Sequence, residues 1–139
     1  MINEFEIDIN KATINEQMTV LHYEALNGHF NNVKALLAKG AEIDAEARYN
    51  FHGKYTPMIF AAKEGRTRIV DSLIKNDANV EQKTEDGYNA ILWAAKEQRT
   101  DTVSRLIAYY QTKTSESLEN LTNLITDSFI DIRIINCNA

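Results

Sequence analysis

Thr56-Pro57-Met58-Ile59-Phe60-Ala61-Ala62 returns 33 residues later as Asn89-Ala90-Ile91-Leu92-Trp93-Ala94-Ala95, and 37 residues before it stands Thr19-Val20-Leu21-His22-Tyr23-Glu24-Ala25. Three copies of one pattern at nearly constant spacing make the chain a tandem array. Periods of roughly 20–50 residues mark units that bury their apolar surface only by stacking on one another. The longer first interval places four extra residues in the link between the first two copies.

Each copy carries the same local chemistry. Thr19, Thr56 and Asn89 stand where a side-chain oxygen accepts from the orphan N–H groups of a first helix. Pro57, the only proline, falls just inside that helix, where a missing N–H is harmless. Gly28 and Gly65 close the first helix with the positive φ of a tight reversal, and Gly40, Gly53 and Gly87 read as further turn residues, so no glycine remains for a phosphate-cradling loop. A second apolar run follows each reversal: Phe30, Val33, Leu36 and Leu37, then Ile69, Val70, Leu73 and Ile74, then Val103, Leu106 and Ile107. Spacings of three and four put these on one helical face.

A period of 33 with a T-P-L-H-x-A opening resembles the ankyrin-repeat family, over Thr19 to Tyr110. The resemblance implies an all-α solenoid of stacked helix–turn–helix units with β-turn fingers, no sheet beyond short turn bridges, and a C-terminal capping helix. The chain then divides into an N-terminal cap or degenerate repeat (1–18), a first repeat with an enlarged finger (19–55), a second (56–88), a third (89–110) and a C-terminal cap (111–139). Asp8-Ile9-Asn10 resembles the turn that precedes a repeat. Beyond the third unit, Leu118, Leu121, Leu124, Ile125 and Phe129 recur at helical spacing, whereas Ile130, Ile132 and Ile134 fit a strand or a continued helix.

The chain departs from the family pattern at four places. Gln98 takes the slot of Gly28 and Gly65, where a side chain in a left-handed turn costs about 1–2 kcal/mol. Tyr110 stands where Gly40 stands in the first unit, so the last helix is expected to run on. His22 fills the family's histidine slot once, with Ile59 and Leu92 in the later units. Asn32 and Thr102 replace Ile69, which softens the outer units.

Composition narrows the function. Of 139 residues 44% are hydrophobic and 25% charged, ordinary for a single globular domain, and no apolar run reaches the length that crosses a bilayer. The acidic N-terminus lacks the basic start of a secretory signal, and one cysteine, Cys137, suits a reducing, cytoplasmic setting. A net charge of −5 argues against a nucleic-acid partner. His22, His29 and His52 have no ligand spacing around them, and the nucleophile-elbow, Walker and dinucleotide motifs are missing. The expectation is a non-enzyme without metal or cofactor.

Binding remains, and the resemblance implies a concave surface lined by turn tips and first helices. Its positions are Asn27 in the first unit with Met18 and Leu26, Tyr55, Lys63 and Glu64 in the second, and Asp86, Tyr88, Lys96 and Glu97 in the third with Glu85. Tyr23, Phe60 and Trp93 share one slot and form an aromatic ladder, either packed between repeats or open to the groove. Arg48 to Tyr55 concentrates Tyr49, Phe51, Tyr55, His52 and two cations in the enlarged finger, which either meets a partner or folds back on the slab. Two function classes stand. One is an adaptor gripping a protein partner, in the manner of exported ankyrin proteins of AT-rich intracellular bacteria acting in a host cytoplasm. The other is a structural module dimerising through Leu118 to Ile135; a small-molecule enzyme is a distant third.

Overall fold

The computed structural model describes residues 8–112. Six helices and one hairpin follow in the order α1 (Val20–Asn27), α2 (Phe30–Ala38), β1 (Ala47–Tyr49), β2 (His52–Tyr55), α3 (Pro57–Lys63), α4 (Thr67–Lys75), α5 (Ala90–Lys96) and α6 (Thr100–Gln111). The first helices α1, α3 and α5 stack in one row and the second helices α2, α4 and α6 in another. This is a helical repeat solenoid. The helix and cap expected beyond Thr112 lie outside the described residues.

The repeated residues do what their chemistry dictates. Thr19, Thr56 and Asn89 sit in extended backbone, and their side-chain oxygens accept from the N–H groups of His22, Ile59 and Leu92. Pro57 opens α3. The alanines of α3 and α5 are fully or almost fully buried, which lets neighbouring units close on Leu21, Met58, Ile69, Leu73, Ile91 and Leu106. The helix α6 has 12 residues against 9 in α2 and α4: the chain turns left-handed at Gly40 and Asp77 after the earlier helices, whereas Tyr110 in the same slot stays helical.

Adjacent units are joined by a recurrent clasp. Arg66, at the N-cap of α4, reaches back to the end of α1, where its Nε donates to Leu26 O at 3.3 Å. Arg99 repeats this one unit on, with Nε 3.1 Å from Lys63 O. Each guanidinium stem lies over the glycine of the preceding reversal: a Cβ on Gly28 would come within 2.9 Å of Arg66, and one on Gly65 within 2.8 Å of Arg99. The left-handed backbone (φ 81° and 71°) favours glycine there, and a Cβ would also push the arginine stem aside.

Two expectations are corrected. The enlarged finger is a true antiparallel β-hairpin, with Ala47 opposite Tyr55 and Tyr49 opposite His52. The extra residues give it enough length for strand pairing. Gly53 is not turn punctuation: it lies in β2, its N–H donates to Glu85 Oε2 at 2.7 Å, its carbonyl accepts from Glu85 N–H at 3.1 Å, and a Cβ would come within 2.6 Å of Glu85 Oε1. Here close approach, not φ, favours glycine, since a Cβ would push the Glu85 carboxylate aside.

A candidate partner-binding surface

Two apolar cores underlie the slab. The larger runs between the helix rows; the smaller gathers Met18, Ala47, Tyr55, Ile59, Phe60 and Trp93 beneath the fingers. Tyr49 and Tyr88 pack on the smaller core and bring their rings half into solvent. Ring contacts connect them: Tyr49 to Phe60 at 5.3 Å, Phe60 to Tyr55 at 5.3 Å, Tyr55 to Trp93 at 5.9 Å and Trp93 to Tyr88 at 5.4 Å between centroids. Tyr49 meets Phe60 edge-on, Phe60 and Tyr55 stack, and the two contacts of Trp93 are tilted.

The expected ladder of Tyr23, Phe60 and Trp93 is thus replaced by an interleaved one. Tyr55 from the finger inserts between Phe60 and Trp93, because the hairpin delivers its ring to the gap between repeats. Tyr23 stays outside the cluster, 36% exposed, with its hydroxyl 3.4 Å from Glu16 Oε2. Tyr55, Phe60 and Trp93 are only 2%, 0% and 5% exposed, and Met18 is buried as well, so their expected place at a partner is taken by packing. Burial, reinforced by the charge of Asp86 and by Tyr49, pushes the Tyr55 phenol up to about 12.

Lysines cover this aromatic floor from the groove side. Lys63 at the end of α3 holds Nζ 5.5 Å from the Trp93 ring and 5.9 Å from Tyr49; Lys96 at the end of α5 holds Nζ 5.0 Å from Trp93 and 4.9 Å from Tyr88. The equivalent lysines of two repeats therefore share one indole, whose Nε1 donates to Thr84 Oγ1 at 3.4 Å. Such cation–π contacts contribute about 0.5–2 kcal/mol each, more as water is excluded. The sequence signal was Ala-Ala-Lys at the end of both first helices, and only the fold shows that both cations converge on Trp93.

Around them Glu64 lies 3.7 Å from the Arg99 guanidinium and 4.0 Å from Lys63 Nζ, while Glu97 is half-buried at the C-cap of α5. Asp86 is exposed at the next finger, where its carboxylate accepts from the Thr84 hydroxyl. Glu85, expected at the turn tip as a partner contact, is instead the strut that holds Gly53. Asn27 is exposed on α1, apart from the cluster. Phe51 is 98% exposed at the hairpin tip. Within the enlarged finger Tyr49 and Tyr55 fold back on the slab, and Phe51 projects from it. Among the described residues no cluster of His, Cys, Asp and Glu could hold a metal ion, and no helix is long and apolar enough to cross a membrane.

Residues 21–117 match the family model for ankyrin repeats in three copies, which is well over half of the chain, so the chain belongs to the ankyrin-repeat family. Among curated proteins, 70 residues are 36% identical to the E3 ubiquitin-protein ligase XB3 of Oryza sativa subsp. japonica, covering 50% of this chain and 15% of the ligase. Over 93 residues it is 33% identical to the palmitoyltransferase AKR1 of Kluyveromyces lactis, covering 64% of this chain and 12% of that protein. A third relative, the ankyrin repeat and KH domain-containing protein mask-1 of Caenorhabditis elegans, is 34% identical over 74 residues, 53% of this chain and 3% of the relative. The chain thus spans less than a sixth of the length of these relatives.

Proposed function

We propose that this member of the ankyrin-repeat family is a non-catalytic adaptor that grips a partner protein across its second and third repeats, on the groove side of α3 and α5. Ankyrin repeats are in general protein–protein interaction modules, and the location rests on one observation. Lys63 and Lys96 converge on Trp93 over a floor that includes the half-exposed Tyr49 and Tyr88. Aromatic rings with a wet edge and a cation above them offer large contact area at small conformational cost. Glu64, Glu97 and Asp86 add a mixed-charge rim that orients a protein surface without drawing polyanions. A single cysteine and a short Ile- and Asn-rich array suit work in a cytoplasm, the cell's own or a host's.

Capture from a cell lysate followed by titration calorimetry of the recovered partner tests this reading. With Tyr88→Ala and Lys96→Ala combined, and helicity unchanged by circular dichroism, affinity is expected to fall about tenfold or more. Undiminished affinity would move the site off the groove. A stable dimer in light scattering that disappears when Leu118 and Leu121 are made polar would favour the self-associating module instead. We also infer that 111–139 closes the stack, a reading supported by the spacing of Leu118, Leu121, Leu124 and Ile125. Truncation after Tyr110 is then expected to lower and broaden the thermal transition, since a terminal repeat without a polar cap frays; an unchanged melt would make the segment an appendage.

A further inference from the structure

We propose that the joint between the first and second repeats binds the phosphoryl group of a phosphate monoester, held by Arg66 and Arg68 in a recess between the two helix reversals. None of its residues belongs to the groove or the fingers, so the site stands whether or not the groove takes a partner.

The arginine clasp shapes the recess. The reversals at Gly28 and Gly65 leave between them a hollow of about 290 Å³ lined by Arg66 and Arg68, with Phe30 and Ile69 as apolar walls. Both arginines reach back onto the first repeat. Arg66 commits Nε to Leu26 O at 3.3 Å, and Arg68 lays its guanidinium 4.1 Å from the centroid of the Phe30 ring. A guanidinium has five N–H donors in one plane. One bond through Nε leaves the terminal nitrogens of Arg66 to spare, and stacking leaves the edge of Arg68 able to donate. Each charge is therefore held in position while most of its donors stay open.

A comparison of the two joints shows that this charge is not offset. In the second joint Arg99 takes the place of Arg66, but its guanidinium meets Glu64 at 3.7 Å, and Asp101 occupies the slot of Arg68. The first joint has Asn27 in the slot of Glu64 and Arg68 in that of Asp101. Two carboxylates of one joint are thus an amide and a cation in the other. No carboxylate lines the recess: Glu24 is engaged by His29 and Asn32, and Glu64 by Arg99 and Lys63. Among the described residues neither Arg66 nor Arg68 takes part in an ion pair, and Lys34 adds a further cation 5.5 Å from the Phe30 ring.

The donor set defines the ligand. Two open guanidiniums match a group with more than one charge and several acceptor oxygens, since each can present parallel N–H donors to a pair of oxygens. A phosphate monoester brings a charge of about −1.5 to −2 at pH 7 and three such oxygens. A carboxylate or a phosphodiester brings a single charge and leaves one arginine without a counterion. Phe30 and Ile69 give the organic part of the ester an apolar surface to lie against.

The full chain, labelled with ¹⁵N, is titrated with phenyl phosphate, with benzoate and with a short phosphoserine peptide while the amide resonances are followed. Expected are saturating shifts at Gly28, Gly65 and Thr67 with phenyl phosphate, and an affinity for benzoate about tenfold or more lower. Arg68→Ala should weaken phenyl phosphate about tenfold or more. So should Asn27→Glu, which gives the first joint the acid of the second and leaves both arginines in place; unchanged resonances elsewhere report that each variant is folded. Undiminished affinity in both variants, or shifts that never saturate, would overturn the site. Benzoate binding as tightly as phenyl phosphate would overturn the assignment to a phosphate. Tyr88→Ala with Lys96→Ala should leave the titration unchanged, and a loss there would overturn the recess by moving the anion to the groove. Tighter binding of the phosphoserine peptide than of phenyl phosphate supports the site and assigns its ligand to a phosphorylated protein segment. Equal or weaker peptide binding supports it with a free small monoester as the ligand. Cosedimentation with phosphatidylinositol phosphate vesicles, without shifts from either soluble monoester, would overturn the recess in favour of a membrane surface.

Discussion

His22 is fully buried, and its Nε2 lies 2.8 Å from Ala45 O and 3.1 Å from Tyr55 O. Two carbonyls leave that nitrogen only the donor role, so Nε2 carries the proton and Nδ1 accepts from Thr19 N–H at 3.0 Å. Burial holds the imidazole's affinity for a second proton below the usual histidine range, against the opposing pull of the two carbonyls. The folded state therefore binds fewer protons than the unfolded chain between that lowered value and about 6.5, and stability falls as pH drops through this window. A denaturation midpoint lower at pH 5.5 than at pH 7.5 is the expected result. His22→Leu, which copies the residue at this slot in the third repeat, should flatten that slope while costing about 1–3 kcal/mol at neutral pH from the carbonyls it leaves unpaired; an unchanged slope would assign the acid sensitivity to other groups. The slot itself stood plainly in the sequence. That its ring would tie Ala45 to Tyr55 did not, because both lie at the base of a finger whose shape no local pattern encodes.

At the scale of elements, helices of 7 to 12 residues do not persist alone in water, so each is as stable as what it buries. Ile69, Val70, Ser72 and Leu73 of α4 are buried, whereas α2 buries Val33 alone and leaves Leu36 and Leu37 half in solvent. Asp71 fastens α4 further: it pairs with Lys75 at 3.0 Å and with Arg105 of α6 at 2.7 Å, and these cations hold its carboxyl below the usual range. Native-state hydrogen exchange should show amide protection in α4 at least tenfold above that in α2, and equal protection would mean that the array opens as one body. The contrast was readable from Asn32 in the slot of Ile69. The hairpin was not, since its strands have 3 and 4 residues and its course depends on left-handed Asn50, Phe51 and Lys54, an unusual backbone that residue preference argues against.

For the molecule as a whole, the smaller core, like the larger one, links all three repeats. Phe60 meets His22 of the first repeat at 5.8 Å and the finger rings Tyr49 and Tyr55, while Tyr55 passes the contact on to Trp93 of the third. Phe60→Ala should cost about 3–5 kcal/mol, a large part of the roughly 5–15 kcal/mol that holds a domain folded. The melt should remain a single transition shifted downward. Two separated transitions would show that the larger core does not couple the repeats by itself. The period of the array and the caps of its helices could be read residue by residue because they are local. The partition of the aromatics into a buried set (Tyr55, Phe60, Trp93) and a projecting one (Phe51) could not, because a single slot in the alignment takes its exposure from whatever the neighbouring finger places over it.

The arginine clasp has a consequence for how such an array can grow. Each joint is specified half in one unit and half in the next: a bare glycine at the reversal receives, and an arginine 34 to 38 positions further on is given. A duplicated or transplanted unit keeps its footing only if both halves travel in register, so the heritable building block is the joint and not the helix pair. At Gln98 the receiving half has been withdrawn, since the backbone still turns left-handed (φ 59°) but a side chain now stands where the next arginine stem would lie. A single residue thereby serves as punctuation, and any further unit would need a docking geometry of its own.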